Sequence, residues 1–171
     1  MRPDKEDVAA NYHDYIDKVV GDNLLLQMSL VHQSTQRFLA NIDQDKEGLR
    51  YAEGKWSIRE IVGHLIDTER VFNYRALRFA RGDETDLPGY DHGKFVPESK
   101  AHGRLLKDLA QEYQDVRNAS IALFGSFDEE MLARSGTANG NKATVLALGF
   151  IIVGHELHHR AVIEDKYLNL S

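Results

Sequence analysis

Two histidines near the carboxyl end of the chain have the spacing of a metal-binding pair. His155 and His159 are four residues apart in a predicted helix, so their side chains lie on one face, within about 40° of each other. That face is otherwise aliphatic, because Ile151, Ile152 and Val162 share it. Two buried imidazoles need polar partners, and a single metal ion would satisfy both. The alternative is a pair of core histidines satisfied by hydrogen bonds, and we favour the metal interpretation.

A third candidate ligand lies on a different predicted helix. His64 is near the flank of the apolar stripe of that helix and within its first two turns, where a neighbouring helix could face it. Periodicity alone leaves open whether it is a ligand or a satisfied core residue. His158 lies at the edge of its stripe and is expected to be a surface residue or to support a ligand. The remaining histidines have no spacing that indicates a site, namely His13, His32, His92 and His102.

Glu156 follows the first histidine of the pair, so residues 155–159 match H-E-x-x-H, the zinc-protease motif in which the glutamate is a general base. A protease is not expected, because Val162 stands where the extended motif has a glycine that bends the chain. Asp165 would lie about 15 Å from His155 along an unbroken helix. Glu156 itself could accept a proton or form a solvent-facing salt bridge, and we leave the catalytic residues unassigned.

The composition predicts one soluble domain over residues 1–171 and restricts its chemistry. The chain has no cysteine, so thiolate zinc sites and a cysteine nucleophile are excluded, and a metal must bind histidine, carboxylate or water. A net charge of −6 argues against a nucleic-acid partner, since phosphate binding needs clustered lysine and arginine. The start of the chain is polar, unlike a secretory signal, and the longest apolar run, 143–154, is shorter than the roughly 20 residues of a membrane span. We therefore expect a cytoplasmic protein with no membrane partner.

Four predicted helices position the candidate ligands. Asp22 is a candidate N-cap for a first helix at about 23–41, and Ser57-Ile58-Arg59-Glu60 is a capping box that begins a second helix ending near residue 81. A third helix is expected at about 101–124, and a fourth, capped by Thr144, extends to about residue 168. With no convincing strand pattern, four long helices predict an all-α bundle.

Two connections between these helices are long. Residues 82–99 contain two prolines and three glycines and are expected to form a loop that acts as a lid or pocket wall. If this loop borders an open metal site, which would favour an enzyme, its residues of interest are Tyr90, Asp91 and His92. Residues 125–142 are expected to form a second, glycine-rich loop.

Two segments of the chain resemble a known family. Lys55-Trp56-Ser57-Ile58-Arg59-Glu60-Ile61-Val62-Gly63-His64-Leu65 and Gly154-His155-Glu156-Leu157-His158-His159-Arg160 resemble the DinB-like superfamily, in particular its YfiT-like branch. The resemblance covers about residues 20–168 and implies one DinB-like domain folded as an up-down four-helix bundle. It also implies one divalent metal ion, commonly zinc or nickel, bound by one histidine of the second helix and two of the fourth. In this sequence the three histidines are His64, His155 and His159. We expect at least one further coordination position of the metal to be open.

The resemblance is less specific about the reaction. Characterised members are similar to metal-dependent S-transferases that use low-molecular-weight thiols, and hydrolases are suggested elsewhere in the family. We therefore expect a metal-dependent thiol S-transferase acting on a small-molecule substrate, with a metal-dependent hydrolase as the alternative. A further alternative is a non-catalytic, metal-stabilised stress-response or binding protein, which a fourth protein ligand would favour. A homodimer is the expected assembly.

Overall fold

The computed structural model describes residues 1–168, which form helices and one small hairpin. The helices are α1 (His13–Lys18), α2 (Leu24–Ala40), α3 (Ile58–Ala80), α4 (His92–Glu98), α5 (Leu106–Gly125), α6 (Glu129–Ala133) and α7 (Val145–Ile163). Strands β1 (Ser135–Ala138) and β2 (Asn141–Thr144) pair antiparallel between α6 and α7. Single 3₁₀ turns occur at Lys5–Asp7, Ala10–Tyr12 and Ala101–Gly103, and a π-helical turn at Glu164–Leu168 continues α7.

The four long helices form the bundle. α3 packs against α5 and α7, and α2 packs against the same two helices. The consecutive helices α2 and α3 therefore occupy diagonally opposite corners of the bundle, and residues 41–57 connect them across one end. The predicted all-α class and four-helix bundle are confirmed. Of the helices in residues 1–168, none combines the length and the apolar character that crossing a membrane requires.

Side-chain caps fix where three of the four long helices begin. Ser57 Oγ accepts from the Glu60 backbone N–H, while Glu60 Oε2 accepts from the Ser57 backbone N–H at 2.7 Å, so the predicted capping box is present at α3. The Thr144 hydroxyl accepts from the Ala147 N–H at 3.1 Å and caps α7 as expected. The N-cap of α2 is Asn23, whose side chain accepts from Leu26 N–H, rather than Asp22. Asp and Asn are both favourable N-cap residues, so the sequence alone does not distinguish Asp22 from Asn23 as the cap.

The two long connections contain more regular structure than the sequence predicts. Residues 82–99 include α4, and residues 125–142 include α6 and most of the hairpin, so the expectation of two irregular loops without strands was wrong. The hairpin turns at Asn139 and Gly140, which both have positive φ, 53° and 70°. Asn-Gly favours such two-residue turns because both residues tolerate the left-handed region. α5 begins at Leu106 instead of near residue 101, after a separate 3₁₀ turn.

The core consists of two apolar clusters with a charged layer between them. One cluster includes Met28, Phe72 and Phe150, and the other includes Leu39, Leu65 and Leu109. Each long helix has buried polar residues between its contributions to the two clusters. These residues, the charged layer, are His32 and Thr35 on α2, Glu69 on α3, Arg117 and Ser120 on α5, and Glu156 on α7.

Arg117 lies at the centre of the charged layer and is fully buried. Its Nε and Nη2 donate to the two carboxylate oxygens of Glu69, at 2.7 Å each, and its Nη1 donates to the Met28 carbonyl of α2 at 3.1 Å. Nη1 also lies 2.8 Å from Glu156 Oε2, in an ion-pair contact rather than an aligned hydrogen bond. Burial alone would lower the pKa of Arg117, but Glu156 and Glu69 raise it well above its ordinary value. One guanidinium group thus connects all four long helices.

We expect Arg117→Met to lower the free energy of unfolding by about 3–5 kcal/mol, because Glu69 and Glu156 would remain buried without a counter-charge. The measurement is urea denaturation of the variant beside the unmodified protein. The control is Arg70→Met, since Arg70 is half exposed and its ion pair with Glu112 should contribute less than about 1 kcal/mol. Similar small losses in both variants would contradict a central role for Arg117.

Candidate metal centre

The three predicted ligands converge at one point of the bundle. His64 lies in the second turn of α3, while His155 and His159 share one face of α7. Nε2 of His64 lies 3.1 Å from Nε2 of His155, and one ring nitrogen of each of the three histidines lies within 4.8 Å of the other two. The rings meet edge to face, with centroids 4.5 to 5.0 Å apart. Within residues 1–168, only these three form such a group of potential metal ligands.

Burial keeps the three imidazoles neutral. Together with the neighbouring histidines, it lowers the pKa of His64 to about 4 and the pKa of His159 to about 3. The pKa of His155 falls well below its ordinary value for the same reasons. A neutral imidazole has a free lone pair on one ring nitrogen, which is the form that binds a metal ion. All three rings are therefore available as ligands at neutral pH.

The Thr68 hydroxyl lies on the Nδ1 side of the His64 ring, opposite the other two histidines. Thr68 lies one turn further along α3, and its Oγ1 is 3.4 Å from His64 Nδ1. The same Oγ1 is 2.7 Å from the Tyr90 hydroxyl, which comes from the segment before α4. With Nδ1 facing Thr68, Nε2 of His64 faces His155. Contacts of this kind orient ligating imidazoles in metal sites.

Aromatic rings from distant parts of the chain enclose the group. Trp56, just before the α3 capping box, lies 4.9 Å from His64 between ring centroids, and His92 at the start of α4 lies 5.8 Å from His64. Tyr15 of α1 contacts His155 edge to face at 5.5 Å. Sequence reasoning gave no role to Trp56 or Tyr15 and found no spacing signal for His92. No local pattern marks such residues, because only packing of the helices brings them to the site.

A cavity of about 450 Å³ opens beside the histidines. Two of the three residues of interest in the 82–99 loop, Tyr90 and His92, line it, whereas Asp91 caps α4 by accepting from the Lys94 N–H. His158 also lines it and is partly exposed. Among the described residues that form the walls there is no carboxylate. The other lining residues are Asn11, Tyr12, Tyr15, Trp56, Thr68, Phe72, Arg75, Asn139 and Ile151.

Glu156 points away from the cavity, into the charged layer. It is fully buried, its Oε2 lies 2.8 Å from Arg117 Nη1, and its Oε1 lies 3.5 Å from His32 Nδ1. Burial alone would raise the pKa of Glu156, but Arg117 and His32 lower it below its ordinary value. Glu156 therefore forms a salt bridge, but the expectation that this salt bridge faces solvent was wrong, because both partners are buried. One step along a helix turns a side chain by about 100°, so Glu156 cannot share the direction of His155.

The donor set fits a divalent metal ion. A metal ion with nitrogen ligands at about 2.1 Å requires those nitrogens to lie no more than about 4.2 Å apart, and the 3.1 Å between His64 and His155 is within that range. Three protein ligands beside an open cavity are typical of catalytic sites, where a water or substrate takes the remaining position. The structure thus brings together the three histidines that the sequence singled out.

Comparison with known sequences identifies one family. The sequence profile of the DinB superfamily matches residues 27–163. A protein of Oceanobacillus iheyensis named "putative metal-dependent hydrolase" is 24% identical over 133 residues, which cover 77% of this chain and 76% of that protein.

Two solved structures are similar in fold. YfiT from Bacillus subtilis, described as "a probable metal-dependent hydrolase with an unusual four-helix bundle topology", superposes with a TM-score of 0.72 at 15% identity, covering 95% of this chain and 90% of YfiT. A mycothiol-dependent maleylpyruvate isomerase superposes with a TM-score of 0.68 at 14% identity. That match covers 88% of this chain and 61% of the isomerase. At these identities the similarity shows a shared fold.

Gly154 allows α1 to lie directly on α7 beside the histidines. A Cβ at this position would overlap the backbone carbonyl of Tyr15. We expect Gly154→Ala to lower the free energy of unfolding by about 1–3 kcal/mol, because α1 must move away from α7. The control is Gly103→Ala, where a Cβ would have open space and a change within about 0.5 kcal/mol is expected. Denaturation curves that coincide for the two variants would contradict this close packing.

Proposed function

The chain belongs to the DinB superfamily, and we propose that it is a metal-dependent enzyme that transfers a low-molecular-weight thiol to a small-molecule substrate. The observation that carries this proposal is the convergence of three neutral imidazoles on a cavity whose described walls hold no carboxylate. Such a site can bind a metal ion and a thiol together. It lacks the acidic base that water activation commonly uses.

His64, His155 and His159 are the proposed ligands of one divalent ion, zinc or nickel, since both metals accept imidazole nitrogen. When bound, such an ion acts as a Lewis acid that lowers the pKa of a thiol or a water at the open position. Thr68 holds the ring of His64 by its Nδ1, so that Nε2 remains directed at the other ligands. Trp56 and Tyr15 cover the rings and limit the access of water.

The residues around the cavity favour a thiol over a water as the nucleophile. In the H-E-x-x-H motif the glutamate accepts the proton of the attacking water, but Glu156 is paired with Arg117 and directed away from the cavity. A thiol needs less assistance, because its ordinary pKa is about 8.5 and a bound metal removes its proton. The name of one structurally similar protein, a mycothiol-dependent isomerase, records that a small thiol takes part in its reaction.

A metal-dependent hydrolase is the second candidate. Its support is the names of two similar proteins, each described as a metal-dependent hydrolase. In this chain the proton of an attacking water would have to pass to His92 or His158, the two further histidines of the cavity wall. A hydrolase would turn over an ester or amide without any thiol, which separates the two candidates experimentally.

The first test is elemental analysis of untagged protein after loading with zinc or nickel. We expect about one metal ion per chain in the unmodified protein and less than about half of that in His64→Ala, His155→Ala and His159→Ala, because each loses one of three ligands. His158→Ala is the matched control and should keep its metal, since His158 lies outside the three-histidine group. Full metal content in any of the three variants would remove that residue from the ligand set.

The second test is activity on the same samples. We expect conjugation of a small thiol to a neutral electrophile that follows metal content across the variants and stops on chelation. Ester hydrolysis without thiol would instead favour the hydrolase. Bound metal that raises the melting temperature without any turnover would favour a non-catalytic, metal-stabilised protein.

A further inference from the structure

Arg75 is a buried cation in the wall of the same cavity. Its side chain is 4% exposed, and Thr68, Phe72 and Arg75 follow His64 along one face of α3. Eleven residues separate His64 and Arg75, so their Cα atoms are about 16 Å apart along the helix axis. Helical side chains lean toward the N-terminus, which directs Arg75 toward the histidines. The cavity therefore has a site for a metal ion near one end and a guanidinium group near the other.

The charge of Arg75 has no acidic partner in the part of the chain that the structure describes. Its contacts are a hydrogen bond of 3.3 Å from Nη2 to the Pro88 carbonyl and the face of Phe72, 5.2 Å from the guanidinium carbon. Arg117, the other arginine of comparable burial, meets the carboxylates of both Glu69 and Glu156. Burying a cation without an anion costs free energy. The contrast indicates that the counter-charge of Arg75 comes from a ligand.

The surrounding chain holds the Pro88 carbonyl in place. Leu87 N–H donates to the Thr137 carbonyl at 3.0 Å, and Asn139 N–H donates to the Leu87 carbonyl at 2.9 Å, so the segment before α4 is fixed to the hairpin. Nη2 carries two N–H groups, one on the edge shared with Nε and one on the edge shared with Nη1, so a single bond to Pro88 leaves one of these two edges available. Two parallel N–H groups on one edge match the two oxygens of a carboxylate.

We infer that Arg75 binds a carboxylate of the substrate while the reacting group lies at the three histidines. The inference rests on the proposed function in taking this cavity as the substrate site, but it does not depend on which reaction occurs there. The carboxylate belongs either to the thiol or to the molecule that receives it. In both cases Arg75 selects anionic substrates over neutral analogues of the same shape.

The test compares 3-mercaptopropionate with its neutral amide, 3-mercaptopropionamide, by calorimetric titration. We expect zinc-loaded unmodified protein to bind the acid at least about tenfold more tightly than the amide, because a charged hydrogen-bonded pair contributes at least this much. Arg75→Gln should lose the preference while keeping its metal. Arg78→Gln is the matched control, since Arg78 lies on the same helix outside the cavity wall and should keep the preference.

Titration of metal-free protein separates this inference from the proposed reaction. A preference for the acid that persists without metal and disappears in Arg75→Gln supports the carboxylate site even if no thiol is transferred. Equal binding of acid and amide by the unmodified protein overturns the inference, as does a preference that Arg75→Gln retains. Arg75→Lys keeps the charge without the paired edge and should recover only part of the preference, which distinguishes recognition from a general loss of structure.

Steady-state kinetics identify the source of the carboxylate. If the thiol carries it, Arg75→Gln raises KM for 3-mercaptopropionate with a neutral electrophile and leaves KM for 3-mercaptopropionamide unchanged. If the acceptor carries it, the KM that rises is that of a carboxylate-bearing electrophile assayed with the neutral thiol. An unchanged KM in both assays overturns the inference for a transferase.

Discussion

The buried guanidinium of Arg117 is the contact on which the arrangement of the bundle depends. It meets Glu69 of α3, Glu156 of α7 and a backbone carbonyl of α2, while belonging to α5 itself. Apolar faces can slide past each other at modest cost, but a buried charge separated from its partner loses several kcal/mol. The charged layer therefore fixes the rotation and the height of each long helix. This constraint also explains why the core is divided into two apolar clusters.

The same contact aligns the candidate metal centre. Glu156 directly follows His155 on α7, and Glu69 directly follows Thr68 on α3. When one residue of a helix is fixed, the directions of its neighbours follow from the rotation of about 100° per residue. Pairing of the two carboxylates with Arg117 thus directs His155 and Thr68 toward the cavity. Glu156, the glutamate of the H-E-x-x-H match, pairs with Arg117 in the core. The cavity therefore lacks the general base that a zinc protease uses.

Segments outside the long helices provide much of the cavity. Tyr15 lies on the short helix α1, Tyr90 and His92 belong to the segment around α4, and Asn139 lies in the hairpin turn. The length of the 82–99 connection indicated a lid or pocket wall, and the tertiary structure shows that Tyr90 and His92 are its residues in the wall. The sequence gives no indication of Tyr15, and the Asn-Gly turn at residues 139–140 lies in a segment for which the sequence predicts only a loop. The expected homodimer, the cytoplasmic location and the absence of a nucleic-acid partner stay predictions.

The sequence by itself determined the four long helices, the caps of α3 and α7 and the pair His155 and His159, because these depend on spacing within a few residues. The capping box at Ser57 and the four-residue interval between His155 and His159 are local patterns that a helix converts directly into geometry. Arg117 pairs with Glu69 and Glu156, which are 48 and 39 residues away in the chain. No local sequence pattern indicates this pairing, and none indicates that Arg75 lacks an acidic partner. Only the tertiary structure decided which buried charges meet, because electrostatic partners are set by distances in space between helices that are far apart in the chain.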